Sequence, residues 1–204
     1  MKKHARNRDR ARSASSFRSH LVRPVTCSAL AMFLVPGVSA AASFNITSPT
    51  ASPQALAAGE SGTVQSTGQL LVGASPAVTV TGNALSLTND GLIAAPTGVL
   101  INSGANLGSI DNAGKIAGQS YAIEAAGSLN GNITNSGTLS SANTEAVYVD
   151  GDWSGNLTND GVMSADETDA YISGVMTGNI VNNGTLNSYY SGVYIDNSSG
   201  STVA

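Results

Sequence analysis

Four carboxylates, Glu145, Asp166, Glu167 and Asp169, crowd one short part of a chain in which charge is otherwise sparse. Glu145 and Asp169 stand one repeat interval apart, so the fold described below predicts that they lie close together, with Asp166 and Glu167 on the same loop. Carboxylates about 5 to 9.5 Å apart are the machinery of glycoside hydrolysis. Crowding of like charges raises a carboxyl pKa towards general-acid work. The same oxygens would also suit a calcium ion, which makes calcium the one cofactor to look for and these four acids its ligand set. The plainer alternative is a solvated acidic loop that keeps the protein soluble.

A second set is aromatic. Tyr148, Tyr171 and Tyr194 recur at intervals of 23 residues, each between two apolar residues, and Glu124 holds the equivalent place one interval earlier. The spacing predicts an outward ladder of rings that stabilises its sheet by about 0.2–1 kcal/mol per pair. A flat aromatic stripe with an acidic edge also suits stacking on sugars or docking another protein, so these three tyrosines are the candidate binding residues. The segment DGDW (Asp150 to Trp153) invites a metal reading, but Asp150 aligns with Ser173 and no ladder of ligands forms. Trp153 shares its position with Leu129 and Met176, which predicts a packed wall residue.

What must position these side chains is a repeat. GNITNSGTL, starting at Gly131, returns as GNLTNDGVM from Gly155 and GNIVNNGTL from Gly178. Rows begin at Gly62, Leu85, Gly108, Gly131, Gly155 and Gly178, 23 or 24 residues apart, and a seventh would begin at Ser201. Their third residues read Val64, Leu87, Ile110, Ile133, Leu157 and Ile180. The fifth read Ser66 and then Asn89, Asn112, Asn135, Asn159 and Asn182, the seventh are all Gly, and the ninth are Leu70, Ile93, Ile116, Leu139, Met163 and Leu186. Apolar pairs two residues apart, from Val78/Val80 to Val193/Ile195, add another strand. Nothing recurs at helical spacing. A unit this short cannot bury its apolar face alone, but stacked copies can. The reading is an all-β, right-handed parallel β-helix (solenoid) of about six coils of 23 residues, the hand following the usual crossover preference. The N-x-G element is expected to supply the left-handed or otherwise unusual backbone of a corner, with Asn amides hydrogen-bonded up the stack.

The ends differ from the repeats. Residues 1–40 hold eight of the nine Lys and Arg, then an apolar run, Pro36-Gly37 and small residues, the order of a secretory signal peptide cleaved after Ala40 or Ala42. Residues 41–61, with Pro49 and Pro53, read as a linker or irregular N-terminal cap. Residues 62–204 are the coils, the last one incomplete. Without the leader one lysine, Lys115, faces twelve acids, a net charge of −11, and neither histidine nor the cysteine remains. Such a surface repels phosphate backbones, so no nucleic-acid partner is expected.

A secretion signal, no mature cysteine and Gly/Asn/Ser/Thr-rich coils reading GxIxNxGxI together resemble the passenger region of an autotransporter (type V secretion) protein, over about residues 55–204. The resemblance implies export to the cell surface or extracellular space, and adhesin or stalk work against a surface glycan or protein. It also implies a C-terminal outer-membrane barrel, which this sequence lacks; without one the passenger would stay periplasmic. Polysaccharide lyases that resemble this fold need a Lys or Arg base, and only Lys115 is available. The expectation is a non-enzymatic passenger. The alternatives are a β-helical polysaccharide-processing enzyme and a truncated, non-functional fragment of a longer autotransporter.

Overall fold

The structure, a computed structural model, describes residues 43–196. The signal-peptide segment and the start of the seventh row lie outside the described residues. Within them every named element is a β-strand and every pairing is parallel. The chain is an all-β parallel solenoid whose coils contribute strands to three faces.

The first face is a seven-stranded sheet running from Phe44–Ile46 through Ser61–Val64, Asn83–Asn89, Asn106–Asn112, Asn132–Asn135 and Leu157–Asn159 to Ile180–Asn182. The second carries Leu70, Ile93, Ile116, Leu139, Met163 and Leu186 in register, and the third carries the apolar pairs. In the middle coils single long strands, Leu92–Ile101 and Lys115–Ala125, bend through both of these faces. The third-face pairs run in one continuous register from Val78/Val80 to Val193/Ile195. The inward aliphatic residues of all three faces, Leu87, Ile93, Val99 and Ile110 among them, form one buried column. Each coil therefore covers the apolar face that its neighbour cannot bury alone.

Three expectations are corrected. Residues 44–56, read as a linker or irregular cap, form a further coil: Phe44–Ile46, Pro49–Thr50 and Gln54–Leu56 pair in parallel with the three faces of the next coil. The second correction concerns register. Val64 stacks on Asn89, not on Leu87, and Gly62 takes the aliphatic position. The corner that follows holds residues 65–67 where later corners hold one, such as Asp90, so the first face is displaced by two residues. The ring of Phe44 fills the space over Gly62 where a side chain would stand.

The third correction is the role of the N-x-G glycines. Positive φ occurs at Gly59 (79°), Gly104 (79°) and Gly151 (157°), not at Gly91, Gly114, Gly137, Gly161 or Gly184. Those five are glycine because successive corners touch. A Cβ at Gly114, Gly137 or Gly161 would come within 3.0 Å of backbone atoms of the preceding corner. The residue after each glycine instead donates its N–H to that preceding glycine's carbonyl, as Thr138 does to Gly114 at 2.8 Å.

Beside these corners runs the asparagine stack. Nδ2 of Asn89, Asn112, Asn135 and Asn159 each donates to Oδ1 of the next at 2.7 Å, and also to a backbone carbonyl of the next coil at 3.1 Å. The stack begins against Val64, which has no donor, so Oδ1 of Asn89 is buried without a partner.

Candidate functional site

The tyrosine ladder forms. Glu124 stacks on Tyr148, Tyr148 on Tyr171 and Tyr171 on Tyr194 in strand register. Ring centroids are 5.6 Å apart for Tyr148–Tyr171 and 5.2 Å for Tyr171–Tyr194, with rings 24° from parallel. A fourth ring extends it: Tyr121 stacks on Tyr148 at 5.2 Å. Sequence periodicity misses Tyr121 because it lies three residues before the aligned Glu124, just beyond a register shift between Gly118 and Tyr121. Its one sequence signal is that a long ring can reach diagonally across a ladder.

The stacking changes what the face can do. Parallel rings cover one another's faces, so ring edges and hydroxyls point outward, and the stripe is not the flat platform expected from the spacing. Of the three candidate tyrosines only Tyr194, at the end of the stack, is exposed.

Carboxylates flank the stripe. Burial raises the Tyr148 hydroxyl pKa, with Asp150 adding to it, and burial followed by Asp196 does the same at Tyr171. At Tyr121 burial again leads, followed by Glu145 and Glu124. Phenolate formation is disfavoured here first by burial and then by the negative charge that stands nearby.

The four clustered acids are not one ligand set. Asp169 stacks on Ala146, not beside Glu145: Val147 pairs with Ala170, so Glu145 comes opposite Thr168. The row from Gly131 carries its extra residue between Leu139 and Val147, and counting from the row start slips by one. Asp169 thus stands in a column otherwise filled by Ala122, Ala146 and Gly192, and is fully buried. Neither carboxylate oxygen makes a hydrogen bond. Burial pushes its pKa up to about 6; the Ser188 hydroxyl and the backbone N–H of Asn187, near it but not in good hydrogen-bond geometry, pull it back only in part. Glu145 is buried at a different place, its pKa raised by burial and by the Glu167 carboxylate. Asp166 is exposed. Among the described residues no three acids converge as a cation would require.

Asp166 and Glu167 instead line a shallow pocket with Tyr189 and Tyr190. The two rings meet edge to face, centroids 4.9 Å apart and planes at 85°, and are 79 % and 69 % exposed. The amide of Tyr190 donates to the carbonyl of Glu167 at 2.9 Å, which holds the loops of successive coils together.

The remaining candidates take structural places. Trp153 is buried between Leu129 and Met176 and donates Nε1–H to the carbonyl of Gly131 at 2.7 Å. Asp150 accepts from the Ser173 hydroxyl at 3.3 Å, and Lys115 is an exposed strand residue.

No protein-family model matches the chain, and neither the curated proteins nor the solved structures contain a match to it.

Proposed function

We propose that this chain is a non-enzymatic, exported β-solenoid of the autotransporter-passenger kind, a stalk or adhesin that holds a partner on its third face. The observation that carries the reading is the stack Tyr121–Tyr148–Tyr171–Tyr194 with carboxylates beside it. Inward positions repeat because coil must sit on coil, whereas the outward position on this face changes from Leu100 and Glu124 to three tyrosines. Scaffold packing does not demand that change.

The tyrosine hydroxyls donate and accept hydrogen bonds, the ring edges offer apolar contact, and the carboxylates accept from the partner, so the face suits a partner rich in donors, a glycan or a protein surface. The reading is supported by the placing of the acids: Asp169 is walled off from solvent, out of reach of a substrate.

The test is binding of the purified protein to panels of immobilised oligosaccharides and of cell-surface proteins, comparing wild type with Tyr148→Ala and Tyr171→Ala. The expected result is retention that either substitution weakens by about tenfold, the equivalent of about 1.4 kcal/mol. Retention unaffected by both, or none on any panel, would overturn the reading. Release of shortened oligosaccharides would replace it with the enzymatic one.

A further inference from the structure

We infer that the pocket formed by Asp166, Glu167, Tyr189 and Tyr190 is a binding site for the guanidinium group of an arginine presented by a partner polypeptide. The inference rests on the binding-protein reading above and names the chemistry of its partner.

The pocket has two aromatic walls and two carboxylates. Its rings stand at 85°, so one offers its edge to the other and leaves its own faces to solvent, unlike the mutually covered rings of the ladder. A cation over such a face is attracted by the ring quadrupole. Carboxylates at the rim accept charge-assisted hydrogen bonds from the same cation. A planar guanidinium satisfies both at once, stacking on a ring while its N–H groups reach the carboxylates, which a compact ammonium does less well.

Position and charge point the same way. Glu167 stands close enough to raise the Glu145 pKa, and Glu145 in turn raises that of Tyr121 at the head of the ladder. An acidic strip therefore runs from the pocket to the ladder, on a chain with one lysine beyond its leader. The long-range field draws cationic segments towards this surface, and the pocket supplies the local fit. The two tyrosines are also costly to leave in water without a task. Large exposed rings on the same loop are uncommon in a scaffold that buries Trp153 completely.

The experiment measures fluorescence anisotropy of a labelled octa-arginine peptide with the full chain at about 0.15 M salt, where long-range attraction is largely screened. Binding is expected, with Tyr189→Ala and Tyr190→Ala each weakening it by about tenfold and Glu167→Gln by about threefold. The control pair Asp90→Asn and Asp111→Asn removes two charges at a distant corner and is expected to leave affinity unchanged. Tyr189, Tyr190, Asp90 and Asp111 are exposed and Glu167 is half-buried, so circular dichroism should match the wild type in every variant. Equal weakening by the distant pair would mean attraction to net charge alone and would overturn the inference, as would binding indifferent to both tyrosines. If octa-arginine fails to bind while a glycan or protein is still held through Tyr148 and Tyr171, this inference falls and the binding-face reading stands. If neither is held, both fall.

Discussion

Nδ2 of Asn112 donates to Oδ1 of Asn135 at 2.7 Å across one coil, and Asn135 repeats the bond to Asn159 at the same distance. Each amide spends its second proton on a carbonyl of the coil beyond, Thr138 for Asn112 and Val162 for Asn135. The stack is therefore directional, with every donor pointing towards the C-terminal coils. Replacing Asn135 with Leu leaves a buried donor on Asn112 and a buried acceptor on Asn159, at about 1–3 kcal/mol each. Urea unfolding of Asn135→Leu should show a loss of about 2–5 kcal/mol. Asn135→Asp should be at least as damaging at neutral pH, because a carboxylate cannot donate to Asn159, and should recover partly in acid.

Glycine at the corners is tested by contrast. Gly137→Ala puts a Cβ against backbone of the preceding corner, and two strands would have to move apart to admit it. The expected loss is about 1–3 kcal/mol, as for overpacking. Gly73→Ala meets nothing within 4 Å and should be neutral or stabilising by up to about 1 kcal/mol, through the unfolded state. Similar midpoints for both variants would refute the close-approach explanation.

Asp169 makes stability depend on pH. Its folded pKa, about 6, lies above its ordinary 3.8, so the folded chain holds the proton more tightly than the unfolded one. That contribution is complete below about pH 3.8 and is lost as pH rises through about 6, leaving a penalty on the order of 3 kcal/mol at neutral pH. Asp169→Ala places in the column the residue already present at Ala146, and should raise stability by about 1–3 kcal/mol at pH 7.5 and by little at pH 4. An equal gain at both pH values would mean that the side chain's size, not its charge, is at fault.

Much of this was legible in the sequence because coil stacking forces equivalent residues into columns. The 23-residue period places Ile116 under Leu139 and Tyr148 under Tyr171. Trp153 as a wall residue follows from the same counting. The reading failed wherever a corner changed length. Two extra residues after Val64 displaced the first face, and one extra residue between Leu139 and Val147 moved Asp169 off Glu145 and onto Ala146. Periodicity counts residues, but a strand's partner is set by where the previous corner ends. The coil at residues 44–56 was missed because it carries none of the Asn-x-Gly signal. The Tyr189–Tyr190 pocket was missed because its two walls arise in one loop and share no column.

The ladder itself yields the last prediction. Tyr148 touches two rings, Tyr121 at 5.2 Å and Tyr171 at 5.6 Å, so Tyr148→Ala removes both contacts and exposes ring faces that are now covered. At about 0.5–1.5 kcal/mol per aromatic pair, the expected loss is about 1–3 kcal/mol. Tyr148→Phe keeps the stack and should cost little, because burial and then the neighbouring Asp150 disfavour the phenolate and leave the neutral ring to carry the packing. Near-ultraviolet circular dichroism separates the two: the tyrosine signal should largely collapse in Tyr148→Ala and persist, reduced, in Tyr148→Phe. Alkaline titration of the wild type checks the electrostatics independently. Burial together with the flanking acids should hold part of the tyrosine absorbance change above the ordinary pKa of 10, and raising the salt should return only the part due to the carboxylates. A titration with no delayed fraction would mean that the rings are open to solvent and that the ladder does not form.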